Sequence, residues 1–165
     1  FHRSINIETK YAVSEIDNII ERVGGNVDNI TIGRSDLSGS YFDDRIKQDS
    51  EEVTKDIEKV LLSIRSSEKN IKLTVGGGVT SKTVKPLLNN TLLIENIHAI
   101  ETRKCMLDTK KIVEDPSIID DVLEFEMAYL DNRVNSRHTL DTYLDKARLE
   151  ELVSRLSKKW NIPTS

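Results

Sequence analysis

The chain has 165 residues, 37% of them hydrophobic and 32% charged, with 24 Lys and Arg against 28 Asp and Glu for a net charge of −4. That length suits one globular domain with a core of its own, and regularly spaced Ile, Leu and Val exclude a disordered chain. Interleaved charges and 5% aromatics leave neither a basic face nor a stacking platform for nucleic acid, and no apolar run nears the ~20 residues of a membrane span.

In chain order, residues 3–7 (RSINI) read as a short strand. Val13, Ile16, Ile20 and Val23 follow at helical spacing, and Gly24-Gly25 ends that helix as a glycine cap. A second strand, 28–33 (DNITIG), leads into a long loop through Ser40-Tyr41-Phe42. Val53, Ile57, Val60, Leu61 and Ile64 mark one face of a helix over about 49–66. A third strand, 71–75 (IKLTV), runs into Gly76-Gly77-Gly78, after which Thr80 or Ser81 caps a helix containing Val84, Leu87 and Leu88. The fourth strand is 96–101 (NIHAIE). A helix over 115–134 has Asp115 as cap and Pro116 at its first position, and continues through Ile118, Val122, Phe125 and Tyr129. The last, over 140–160, uses Leu140, Leu144, Leu149, Leu152, Leu156 and Trp160.

Strand–helix alternation of this kind implies an α/β fold with a parallel sheet and helices on its faces. A complete (β/α)₈ barrel takes ~250 residues, and four units supply half of one. The four strands therefore read either as a small open sheet or as the second half of a TIM barrel with extra C-terminal helices. The expected organisation is a single domain, with four βα units over 1–110 and the helices of 111–165 after them. The chain opens on Phe1-His2-Arg3 without an initiator methionine or a signal peptide's apolar stretch, so a preceding segment is expected. Cys105 has no partner for an internal disulfide and reads as a small buried hydrophobe, which fits a cytoplasmic protein.

Parallel α/β folds build their sites beyond the carboxyl ends of the strands. Those ends carry Glu8-Thr9, Gly33-Arg34-Ser35-Asp36, Gly76-Gly77-Gly78 and Glu101-Thr102-Arg103. Glu8 and Asp36 close neighbouring strands, about one βαβ unit apart. Two converging carboxylates make a hard oxygen site for Mg²⁺, which usually takes only one or two protein carboxylates. The plainer alternative is that each carboxylate caps a helix or pairs with a nearby lysine.

The strings IETK (7–10), ITIGRSDLSGS (30–40) and ETRK (101–104) resemble the HpcH/HpaI aldolase and citrate lyase β-subunit family, matching in order over residues 3–107. The resemblance implies a (β/α)₈ barrel, a bound Mg²⁺ or Mn²⁺, and carbon–carbon bond cleavage or formation in a 2-oxo acid or acyl thioester through a metal-stabilised enolate. It implies Glu8 and Asp36 as the protein's metal ligands. The chain departs from the family pattern at Asn6, where many members have Gln, and at Arg34, where many have Pro. The family's substrate arginine and candidate bases lie on earlier strands, which this chain does not contain.

Other strand-end residues carry weaker chemistry. Gly76, Gly77 and Gly78 offer backbone N–H groups to an anion, or simply allow a tight turn. Arg34 and Arg103 are candidates to hold a substrate carboxylate bidentately. His98, in mid-strand, reads as a satisfied core histidine. The large apolar residues of the last helix, Trp160 above all, suit an interface in a homo-oligomer; a missing amino-terminal half is the other way to complete the barrel. Against the metal-dependent lyase stand a non-catalytic binding or assembly module on the same scaffold, and an independent α/β domain that binds an anion or phosphate at the triple glycine.

Overall fold

The computed structural model describes residues 2–136 and 141–160, the side chains of 135–136, 141–144 and 155–160 excepted. The chain divides between Pro116 and Ser117 into two compact units. The first begins with β1 (Ser4–Ile7), α1 (Lys10–Ser14), α2 (Ile16–Val23) and a 3₁₀ turn at Gly24–Asn26. It continues through β2 (Asn29–Gly33), α3 (Arg34–Gly39), α4 (Glu51–Ser66) and β3 (Lys72–Gly76). Next come α5 (Lys85–Leu88), α6 (Thr91–Asn96), β4 (Ile97–Glu101), β5 (Met106–Asp108) and α7 (Thr109–Glu114). The second unit is a pair of long helices, α8 (Ile118–Ser136) and α9 (Asp141–Trp160).

The five strands form one sheet in the order β1-β2-β3-β4-β5, the first four parallel and the last antiparallel to β4. Each parallel strand is added beside the one before it. Because crossovers are right-handed, such an order places every connecting helix on the same face. Consistently, α4 packs against α2 on one side and α6 on the other. The register aligns Ile5, Ile30, Leu73 and Ile97 in one row and Ile7, Ile32, Val75 and Ile100 in the next. All but Ile5 are buried. The α4 stripe of Val53, Ile57, Val60, Leu61 and Ile64 is buried as its spacing requires.

The opposite face is polar. Asn29, 2% exposed, donates to Ser4 Oγ (2.9 Å) and Thr31 Oγ1 (3.0 Å) and accepts from Thr74 Oγ1 (2.9 Å). Its amide thus ties three strands with each polar atom satisfied. His98 belongs to this face: its ring is exposed, and its Nε2 lies 3.3 Å from Lys72 Nζ. The expected core histidine is therefore a surface one: it alternates with buried Ile97 and lies at the register irregularity between β3 and β4.

Several elements differ from expectation. The helix over residues 13–23 starts earlier, at Lys10 under a Thr9 cap, and breaks at Glu15. The segment after β2 is helical at once instead of a loop. No helix starts at Thr80 or Ser81: Thr80 and Thr83 close a turn, each hydroxyl accepting from the other's N–H, and α5 follows at Lys85. Asp115 ends α7 instead of capping α8. Cys105 is half-buried, in the turn between β4 and β5.

In the second unit α8 turns Ile119, Leu123, Glu126 and Leu130 inward, with Leu152 of α9 also buried. Phe125 and Tyr129, from the expected stripe, remain exposed. The expected roles of Leu140, Leu144, Leu156 and Trp160 fall outside the described side chains. Among the described residues no helix is long and apolar enough to cross a membrane.

Candidate metal centre

At the carboxyl end of the sheet the polar face finishes in a row. Gly33, Gly76 and Glu101 are in register on β2, β3 and β4, and Glu8 follows Ile7, the partner of Ile32, on β1. Glycine at position 33 has a steric cause. A Cβ there would lie 2.7 Å from Glu8 Oε1 and 2.9 Å from its Cγ, so the carboxylate arm of Glu8 lies across the end of β2 where a side chain would otherwise stand. Asn6 Nδ2 donates to Glu8 Oε1 at 3.2 Å and steadies the arm. Glu8 is half-buried.

Gly33 is also the residue that opens α3. Asp36 sits in the first turn of that helix, exposed, where the free N–H groups favour a negative charge. Of the two expected ligands, Glu8 thus lies over the residue that precedes α3, and Asp36 belongs to the first turn of that helix. Among the described residues no group of three or more His, Cys, Asp or Glu converges on a point. A pair of oxygen donors, one half-buried and one exposed, fits the needs of Mg²⁺, which keeps several water ligands and tolerates a sparse protein contribution.

The triple glycine has a structural task in this neighbourhood. Gly77 has φ +81°, and a Cβ on it would stand 2.6 Å from Ser35 N and 2.7 Å from Arg34 N. The exit of β3 therefore presses directly on the first turn of α3. Gly78 also has positive φ, at +60°, and rests against the Gln48 side chain. The expected anion site at Gly76, Gly77 and Gly78 thus consists of glycines in close contact, Gly76 and Gly77 with neighbouring backbone and Gly78 with the Gln48 side chain.

Arg34 does not project from the strand exit. It is 1% exposed, and its Nε donates to Gly76 O (3.2 Å) while Nη1 donates to Thr83 O (2.7 Å) and Gln48 O (3.4 Å). Its Nη2 is buried without an acceptor among the described residues. Burial pulls its pKa down to about 10, against the opposing charge of Asp49. Arg103, by contrast, is exposed in the turn after β4.

Sequence reasoning missed the polar groups that frame this end. Asn6, noted only as a departure from a family pattern, is the hydrogen-bond partner of Glu8. Ser40 accepts from Lys10 N (2.8 Å) and donates to Leu37 O (2.7 Å), joining the start of α1 to the end of α3. Tyr41 donates to Asp56 Oδ2 (2.7 Å) beneath the Lys10 ammonium, and burial together with that carboxylate pushes the phenol's pKa upward. Only the tertiary register brings these pairs together.

No protein-family model, curated protein or solved structure matches this chain.

Proposed function

We propose that the chain carries the metal-binding half of a carbon–carbon lyase or aldolase that uses Mg²⁺ or Mn²⁺ and acts on a 2-oxo acid or an acyl thioester. The observation that supports it is the placement of Glu8 over Gly33, at the turn that carries Asp36. A divalent ion held by that pair supplies Lewis-acid polarisation of a substrate carbonyl. Glu8 and Asp36 hold the ion, Asn6 orients the Glu8 arm, and exposed Arg103 offers a fork for a substrate carboxylate. The strictly sequential parallel order of β1 to β4, with helices on one side, is the order that half of a (β/α)₈ barrel requires. In this reading the polar face is the barrel interior, and a further half or a second copy of the chain completes it.

A thermal-unfolding series tests the assignment. Millimolar Mg²⁺ or Mn²⁺ raises the melting temperature of the wild-type chain, as any ligand that binds only the folded state must. Glu8→Ala and Asp36→Ala each abolish the rise. An unchanged wild-type melting temperature across the titration overturns the metal site.

A second reading is favoured by β5. Its antiparallel pairing occupies the outer edge of β4, the edge that a closing barrel needs. A sheet so protected suits an independent α/β unit, either a binding module or an anion-binding domain. Release of pyruvate from a panel of 2-oxo acids supports the lyase, and ion binding without turnover of any of them supports the binding module.

A further inference from the structure

Arg34 raises a question that its burial does not answer. A fully buried guanidinium whose hydrogen bonds, among the described residues, go to peptide carbonyls and not to a carboxylate is costly. A stability role alone would be met more cheaply by an apolar side chain of similar size. What the guanidinium does here, and an apolar group does not, is bind carbonyls in three directions. It reaches Gly76 at the end of β3, Gln48 in the segment before α4, and Thr83 in the turn before α5. Arg34 is itself the first residue of α3. One side chain therefore fixes the start of α3 to three separate segments, while Gly77 presses on the same turn from outside. The residue two positions on is Asp36, and the residue immediately before is Gly33, across which Glu8 lies.

We infer that Arg34 is a positioning residue for the divalent ion: its three-carbonyl clamp holds the first turn of α3 so that Asp36 and Glu8 stand ready to share one ion. The inference rests on the metal reading above and adds to it the device that pre-organises the pair. The peptide carbonyls carry the clamp, so charge alone does not replace it. Lysine keeps the positive charge but lacks the planar fork that meets carbonyls in several directions. The turn that presents the Thr83 carbonyl is itself held by the Thr83 hydroxyl, which donates to Gly78 O at 2.6 Å.

The test measures Mn²⁺ affinity by titration calorimetry on the full chain, alongside the melting temperature of the metal-free protein. Arg34→Lys weakens Mn²⁺ binding by about tenfold, the lower end of what the loss of a ligand-orienting contact costs. Thr83→Val, a near-isosteric change that keeps the chain folded if Arg34→Lys does not, weakens it severalfold. Asp49→Asn leaves the affinity unchanged, because Asp49 acts on the charge of Arg34 and not on the clamp. A purely structural Arg34 predicts another pattern: lower metal-free melting temperatures in Arg34→Lys and Thr83→Val, with wild-type Mn²⁺ affinity in whatever remains folded. That pattern overturns the positioning role and leaves the metal site standing. A wild-type chain that binds no Mn²⁺ overturns both.

Discussion

The glycines around α3 show how single atoms decide the carboxyl end of this sheet. At Gly77 an added methyl meets two backbone nitrogens under 3 Å away, and φ is +81°, so neither rotation nor a side-chain shift relieves it. Gly77→Ala is expected to cost about 1–3 kcal/mol in urea denaturation. Gly25 is the internal control: nothing lies within 4 Å of its Cβ position and its φ is not in the left-handed range. Gly25→Ala should be neutral or stabilise by about 0.4–1 kcal/mol, by narrowing the unfolded ensemble. An equal loss at both positions would remove the close-approach explanation. Tyr41 offers a titration at the same scale. Its folded pKa lies above the unfolded value of about 10, so above that pH the unfolded chain gives up a proton that the folded one retains. The stability this proton provides is present below pH ~10 and is lost as the pH rises toward the folded pKa. Buried Arg34 titrates in the opposite sense, its folded pKa of about 10 lying below the unfolded one. Comparing wild type with Tyr41→Phe across pH 9–11 isolates the phenol: the variant's melting temperature should fall less steeply.

Among the elements, legibility followed length and periodicity. The sixteen residues of α4 present five apolar positions at helical spacing, all of them buried, and the parallel strands announce themselves as short β-branched runs. The elements that were not legible are short: α3 is RSDLSG, with Leu37 its only large apolar residue, and β5 is three residues long. Of the site, the strand-end carboxylates could be read from their positions. Burial of Arg34 could not, because its acceptors are backbone carbonyls that leave no mark in the sequence. In α8 two stripes compete at the same spacing. Ile118, Val122, Phe125 and Tyr129 look like the core, yet the buried set is Ile119, Leu123, Glu126 and Leu130. A charged residue disguised the true face. Glu126 is fully buried and its Oε1 accepts from Arg148 Nε of α9 at 3.1 Å. Removing one partner strands a buried charge, so Arg148→Met should destabilise the helical pair by about 3–5 kcal/mol. The double variant Arg148→Met with Glu126→Leu should recover most of that loss. Helical circular dichroism in urea reads both, and a single variant as stable as wild type would show that the pair contributes nothing.

For the molecule as a whole, the open question is how the sheet ends. One edge is covered by the short antiparallel β5; the other, β1, is four residues long and has no further strand beside it among the described residues. Asn29 N donates to Arg3 O, so in the two-residue period of the strand Ser4 and Asn6 turn their N–H and C=O groups to the free side. Unpaired edge groups of this kind recruit another strand. If the chain belongs to a barrel, this edge is one of its two seams, and copies of the chain should associate through it. Sedimentation velocity over a hundredfold concentration range should then show a shift from monomer to dimer or larger species. Proline is tolerated at an edge where the N–H faces outward, and it removes the donor a partner strand needs. Asn6→Pro should therefore suppress the association, and circular dichroism should show the secondary structure retained. A monomer at every concentration would favour an open sheet that stands alone. Association that survives Asn6→Pro would place the contact away from this edge, and the exposed Phe125 and Tyr129 of α8 would be the next surface to alter.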